Sequence, residues 1–374
     1  MIPYGKHCIE SDDISAVVAA LQEDYISSGP GIGKFEQEFA SYVGAKYAVA
    51  VSSGTAALHA CCFALGIKQG DEVITTPLTF AASANCVLYC GGRPVFADID
   101  ERTYNIDPDE IEKRVTPNTK AIIPVHFTGQ PCDMDAINRL ADKYNLKVIE
   151  DAAHANGADY YGRKIGSISD MTVFSFHPVK HMTTCEGGMI TTNNEELYNK
   201  LKGFRTYCLT KDLAQLKDKT DGPWHYEIQG LGYNYRISDV MCALGRSQLK
   251  KLDKFVAKRR EVAVRYNEEL KDVEGITLPY QKEGCNSSWH LYTIQVKNNR
   301  RLELYTKMKE AGIGVDVHYL PVYKHPYYQE IGYQDVCCPI AEKVYSQILS
   351  IPIFYKLSYE QQTFVIDTIK RIMN

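Results

Sequence analysis

A lysine held between two apolar runs offers the most chemistry in this chain. In Phe174-Ser175-Phe176-His177-Pro178-Val179-Lys180 a strand-like run delivers Ser175 and a short Pro-containing loop delivers Lys180. Thr183 and the glycine pair of Glu186-Gly187-Gly188-Met189 follow. A lysine whose pKa is lowered by burial or by its neighbours can form a Schiff base. A second stretch, Val148-Ile149-Glu150-Asp151-Ala152-Ala153-His154, ends a very apolar run on Asp151. That position is the carboxyl edge at which α/β sheets bind ligands. A carboxylate there is costly unless a cation faces it, and a protonated pyridine nitrogen would be one. Capping of the next helix is the plainer use of Asp151, and His154 either packs or lies beside a ligand ring.

Two more stretches belong with these. Ser52-Ser53-Gly54-Thr55-Ala56-Ala57 joins an apolar strand to a helix. Small residues let a ligand approach the backbone, and a helix N-terminus suits a phosphate. An ordinary capped turn would use the same residues. Gly232-Tyr233-Asn234-Tyr235-Arg236-Ile237-Ser238-Asp239 is a polar, aromatic turn into a helix that Ser238 or Asp239 can cap. A phosphate cradle, a strand-end carboxylate and a loop lysine in one domain match the needs of pyridoxal phosphate, an electron sink held by a Schiff-base lysine and a charge partner for its ring nitrogen.

The elements that must position these residues alternate along the chain. KYAVAVS, EVITTP, PVFADID, AIIPVHF, KVIED and MTVFSF read as strands, and MITT is strand-like. Several are unbroken apolar runs, as in strands covered on both faces. GTAALHACCFALG and residues 80–89 read as helices between them. Such alternation implies an α/β domain with a mainly parallel sheet. Residues 12–23 read as a first helix, capped by Ser11, with Ile14, Val17, Val18 and Leu21 on one apolar face. DYISSGPGIGKFE then reads as a Gly/Ser/Pro loop, and its GPGIGK is not a P-loop, because Phe35 stands where Ser or Thr should bind magnesium. One long helical pattern runs from Asp239 to about Lys271. A boundary near residue 246 then gives a large α/β cofactor domain with an N-terminal arm (1–245) and a smaller α+β domain (246–374).

The whole chain sets limits. It has 374 residues, 42 basic and 46 acidic, for a formal net charge of −4. That balance gives no reason to expect a nucleic-acid partner. No signal peptide and no run of about 18 apolar residues is found, so neither membrane insertion nor export is expected, and the cytoplasm is the expected location. The twelve cysteines include no CxxC pair and no zinc-finger spacing, so no metal is expected and most read as small buried hydrophobes. No GxGxxG follows the first strand, which argues against a dinucleotide-binding dehydrogenase.

From DYISSGPGIGKFEQEFASYVGAKYAVAVSSGTAAL to GYNYRISDVMCALGRSQL and VDVHYLPVY, the motifs resemble, in order, the DegT/DnrJ/EryC1/StrS sugar aminotransferases. The resemblance implies a fold type I pyridoxal phosphate transferase, acting on a keto sugar nucleotide with glutamate as amino donor. It implies that Lys180 carries the cofactor and shuttles the proton, and that Asp151 keeps the ring nitrogen protonated. Thr55, Ala56 and Ser175 would contact the phosphate, Phe80 would stack on the ring, and His154 would sit beside the ring hydroxyl. Asn234 would reach the phosphate in the other subunit of a homodimer. Tyr4, Asp24, Tyr25, Ile26, Ser27, His318 and Tyr319 would border the sugar nucleotide. Branches of the family with histidine in place of the lysine are dehydratases; Lys180 points to transamination. FHPVKHMTTCEGGM and the chain ends most resemble the branch that aminates a UDP-linked 4-keto-6-deoxy sugar on the way to pseudaminic acid. A 3-aminotransferase, an enzyme for a dTDP-linked sugar and a non-catalytic regulator of the same fold are the alternatives.

Overall fold

In the computed structural model, which describes residues 1–218 and 222–374, the apolar runs of the first half become one sheet. Its strands are β1 (Tyr47–Val51), β2 (Glu72–Thr75), β3 (Arg93–Phe96), β4 (Thr119–Ile123), β5 (Lys147–Asp151), β6 (Met171–Ser175) and β7 (Gly188–Thr192). They lie in the order β1-β7-β6-β5-β4-β2-β3. The pairs β2–β3, β2–β4, β4–β5 and β5–β6 are parallel. β7 runs antiparallel to both β1 and β6. The link from β6 to β7 carries no helix, so no crossover returns the chain to the same end.

Every residue of β6 and β7 is buried. One apolar cluster, with Phe35, Phe39, Ile137 and Phe176, covers one face; another, with Leu58, Cys61, Val87 and Phe204, covers the other. All twelve cysteines are unpaired and most are buried. The last third forms a second antiparallel sheet of Ile276–Thr277, Tyr292–Val296 and Ile348–Ile351. Helices Arg301–Glu310 and Tyr359–Met373 pack over its own core. Among the described residues no helix is long and apolar enough to cross a membrane.

Three local expectations are corrected. The first helix, α1 (Ser11–Leu21), starts one residue early: Ser11 lies inside it, and Glu10 and Asp13 form the capping box. Its apolar face does not face the core. Ile14, Val18 and Leu21 are 58%, 49% and 57% exposed, whereas Asp13 is fully buried. Asp13 accepts from Ser247 Oγ (2.6 Å), Gln248 Nε2 (2.8 Å) and Lys251 Nζ (2.7 Å), and this polar anchor orients the helix. The long helical pattern is two helices, Asp239–Leu249 and Leu252–Leu270. The break at Lys250–Lys251 is held where Lys251 reaches Asp12 and Asp13, and apolar periodicity does not register so short an interruption. GPGIGK is the start of helix α2 (Pro30–Val43). The Gly29 and Gly31 amides donate to the Asp239 carboxylate at 2.7 Å each. A Cβ on Gly31 would lie 2.7 Å from that carboxylate, so the glycines serve close packing.

Candidate active site

Three chain segments meet at the carboxyl end of the large sheet. After β1 the chain turns at Ser52, whose amide donates to Tyr235 O at 2.8 Å. Ser53 then caps helix α3 (Gly54–Ala64), its Oγ accepting from Ala56 N at 3.1 Å. The amides of Gly54 and Thr55 lie in the first turn, where a helix offers them no acceptor. Gly188 stands opposite both Val51 and Ser175. A Cβ there would be 2.5 Å from Ser53 O and 2.9 Å from Gly54 N, so only glycine lets the turn and β6 converge. Ser175 thereby abuts the start of α3: a Cβ on Gly54 would meet its Oγ at 3.3 Å.

Asp151 ends β5 and is buried. Its Oδ2 accepts from Ser83 Oγ at 2.7 Å and its Oδ1 from Ala153 N at 3.1 Å. Ser83 belongs to helix α4 (Ala82–Tyr89), and its hydroxyl lies 2.9 Å from Thr79 Oγ1. Lys180 shares a cavity of about 400 Å³ with Asp151, Ser53, Gly54, Thr55, Phe80, His154, Ser175, Tyr4, His318 and Tyr319. Burial pushes the Lys180 ammonium down to about 8, with the Asp151 charge opposing. An amine that loses its proton near neutrality is a nucleophile in waiting.

His154 closes another side. Its Nε2 lies 3.4 Å from Tyr319 Oη, and its buried Nδ1 has no hydrogen-bond partner among the described residues. Its ring is 4.3 Å from His290, which is 5.4 Å from His181. Burial, then the Lys180 charge, holds His154 well below the usual imidazole range, so it is neutral. His318 is pushed down to about 4, chiefly by burial, and its Nδ1 lies 2.8 Å from Ser350 Oγ.

Not every expected residue comes to this cavity. Ala56 is buried in α3, and its amide is already taken by Ser53 Oγ. Asn234 is exposed and bridges Thr206. Asp24, Tyr25, Ile26 and Ser27 lie on the surface after α1, where Ile26 O accepts from Asp239 N and Ser27 bridges Ser238. Sequence reasoning missed Ser83, Thr79, His181 and His290. PLTFAASAN does place Ser83 three residues after Phe80, but only the fold turns that hydroxyl onto Asp151. His290 lies in the last third of the chain, beyond the reach of any local pattern.

The model of the DegT/DnrJ/EryC1/StrS aminotransferase family matches residues 7–370. The chain belongs to that family. Among relatives, the spore coat polysaccharide biosynthesis protein SpsC of Bacillus subtilis is 44% identical, over 100% of this chain and 97% of SpsC. The UDP-4-amino-4,6-dideoxy-N-acetyl-beta-L-altrosamine transaminase of Campylobacter jejuni is 39% identical, over 100% of this chain and 98% of its own. Helicobacter pylori PseC, an aminotransferase involved in the biosynthesis of pseudoaminic acid, superposes with a TM-score of 0.92 at 31% identity, over 100% of this chain and 99% of PseC. The PLP-form of Spr1654, assigned as a sugar aminotransferase of Streptococcus pneumoniae, gives a TM-score of 0.92 at 30% identity, over 100% and 98%.

As an aminotransferase of this family, the chain can be tested for its fit to pyridoxal phosphate. Among the described residues the Lys180 amine makes no hydrogen bond and Asp151 accepts only from Ser83 Oγ and Ala153 N, while its charge acts on Lys180 across the cavity. Two unclaimed helix amides and the Ser175 hydroxyl stand where a phosphate would be held. His154 Nδ1 is an orphaned buried polar atom at the cavity wall. The residues fit the cofactor.

Proposed function

We propose that this aminotransferase uses pyridoxal phosphate to move the amino group of glutamate to C4 of UDP-4-keto-6-deoxy-N-acetyl-β-L-altrosamine, in the cytoplasm, in pseudaminic acid biosynthesis. The observation that carries the reading is the Lys180 amine, without a hydrogen-bond partner among the described residues, sharing one cavity with the carboxylate of Asp151 and the start of α3. When bound, pyridoxal phosphate supplies an electron sink for the charge left as a proton leaves the substrate carbon. Lys180, with its lowered pKa, would be the group that takes that proton and gives it back on the far side of the transferring nitrogen. Asp151, oriented by Ser83 and Ala153, stabilises a proton on the ring nitrogen. Thr55 and Ser175 would hold the phosphate, Phe80 would cover the ring, and neutral His154 would stand beside the ring hydroxyl. The two amino transfers share one site, so the kinetics are ping-pong.

The choice of sugar is supported by the names of the Campylobacter jejuni and Helicobacter pylori relatives. A second reading is favoured by SpsC, which is more alike in sequence: the same site could serve a keto sugar of another polysaccharide pathway. A panel of UDP- and dTDP-linked keto sugars with glutamate separates the two. Amination of the UDP-linked altrosamine precursor well above the rest is expected; a clear preference for a dTDP-linked or 3-keto sugar overturns the first reading.

A homodimer with shared sites is part of the proposal. Ile14, Val18, Leu21, Tyr25, Ile26, Trp224, Ile228 and Leu231 are exposed apolar side chains, more than a free surface favours. Asn234 and the 24–27 segment lie near them in sequence and off this chain's own cavity, and on this reading they complete the cavity of the second copy.

A further inference from the structure

The first five residues join the C-terminal sheet layer, not the large sheet. Ile2 N donates to Gly312 O at 2.8 Å, and Gly314 N donates to Ile2 O at 2.6 Å, in a parallel bridge centred on Ile313. Ile353 N donates to Tyr4 O at 3.0 Å. The arm therefore lies between residues 312–314 and Ile353. It delivers the Tyr4 ring to 5.4 Å from that of His318, on the wall of the Lys180 cavity. His318 is itself tied to Ser350, whose backbone pairs with Asp316.

Gly314 is what allows this approach. A Cβ there would meet Ile2 O and Tyr4 N at 3.0 Å and Pro3 Cα at 3.1 Å. All three are backbone atoms, so no rotamer change relieves the contact and the arm itself must move. The wall it forms is neutral and aromatic: burial, helped by Asp316, raises the Tyr4 phenol, and His318 is uncharged near neutral pH. Such a wall suits the hydroxyls and ring faces of a sugar. It offers no cation for the two carboxylates of glutamate.

We infer that Gly314 is a positioning residue: by letting the arm lie flat it fixes Tyr4 at the cavity wall, and through Tyr4 it governs binding of the keto sugar but not the reaction with glutamate. The inference rests on the aminotransferase reading above. The two are separable, because the reaction of glutamate with the loaded enzyme, followed by the cofactor's absorbance, tests that reading before any variant is made.

The experiment compares wild type with Gly314→Ala, Gly314→Val, Tyr4→Ala and Gly314→Val/Tyr4→Ala. Amide hydrogen exchange on the cofactor-free proteins reads arm docking, and protection of the Ile2 and Ile353 amides, which donate across the arm, is expected to be lost in Gly314→Val. The acceptor is whichever keto sugar of the panel the wild type aminates fastest. Its KM is expected to rise about tenfold in Gly314→Val, the effect of misplacing one hydrogen-bonding group. Gly314→Ala should be intermediate, and the glutamate half-reaction should stay within about twofold of wild type in both. The double variant should match Tyr4→Ala alone, since Gly314 acts through Tyr4. Should Gly314→Val not fold, Gly314→Ala and a chain beginning at Lys6 carry the same comparison. Parallel loss of both half-reactions, additive effects in the double variant, or an arm as protected in Gly314→Val as in wild type would overturn the inference.

Discussion

The hydroxyl of Ser83 donates a 2.7 Å hydrogen bond to Oδ2 of Asp151, and Thr79 Oγ1 stands 2.9 Å behind it. Helix α4 thus holds the carboxylate at the end of β5. Ser83→Ala leaves Asp151 with the Ala153 amide alone. Cofactor affinity should fall roughly ten- to a hundredfold, the worth of about 1.5–3 kcal/mol for one hydrogen bond to a charged group. Absorbance titration of the cofactor-free protein measures it, and unchanged binding would count against this role for Ser83.

Lys180 sets a pH dependence. Its pKa is lowered to about 8, so the neutral amine that attacks the cofactor's carbonyl becomes the major form above that pH. The capture rate of cofactor by the empty enzyme should climb with pH and level off above about 8, not above the 10.5 of an ordinary lysine. Asp151 opposes the shift, so Asp151→Asn should move the midpoint down. Stopped-flow absorbance across pH tests both signs; a midpoint near 10 sinks the first.

Gly188 tests the convergence of β1, β6 and β7. In Gly188→Ala the new methyl group collides with Ser53 O and Gly54 N, which pushes the start of α3 away from Ser175. Overpacking of this kind costs roughly 1–3 kcal/mol. Cofactor binding should weaken about tenfold or more while the far-ultraviolet circular dichroism stays that of wild type. Full affinity in this variant would mean that the turn is not part of the phosphate cradle.

The shared dimer site predicts complementation. Asn234→Ala and Lys180→Ala should each be inactive when pure. After subunit exchange, half of the dimers carry one intact site, so about a quarter of wild-type activity should return. Exchange proven by mass spectrometry with no recovered activity would exclude a partner role for Asn234.

Much of the large domain was legible because burial writes itself into sequence. β6 and β7 are buried along their whole length, and their apolar runs announce them. Lys180 and Asp151 could be read because each ends or follows such a run. What escaped depended on contacts distant in sequence. The α1 stripe of Ile14, Val18 and Leu21 has helical periodicity, but periodicity does not say whether a face meets its own core or another surface. Asp13 lies in the first turn of α1, where an acidic side chain is ordinary, yet it is the buried anchor for Ser247, Gln248 and Lys251. Ser83 and His290 reach the site only through tertiary packing.

The docking of Ile2 and Tyr4 beside Gly314 also bears on how the protein is best handled. Anything fused ahead of Met1, an affinity tag or a solubility partner, hangs from the same short arm that lines the cavity. At the other end, Asn374 is exposed and follows the helix Tyr359–Met373, none of whose residues line the cavity. A tag placed after Asn374 is therefore the arrangement in which acceptor preference can be measured undisturbed.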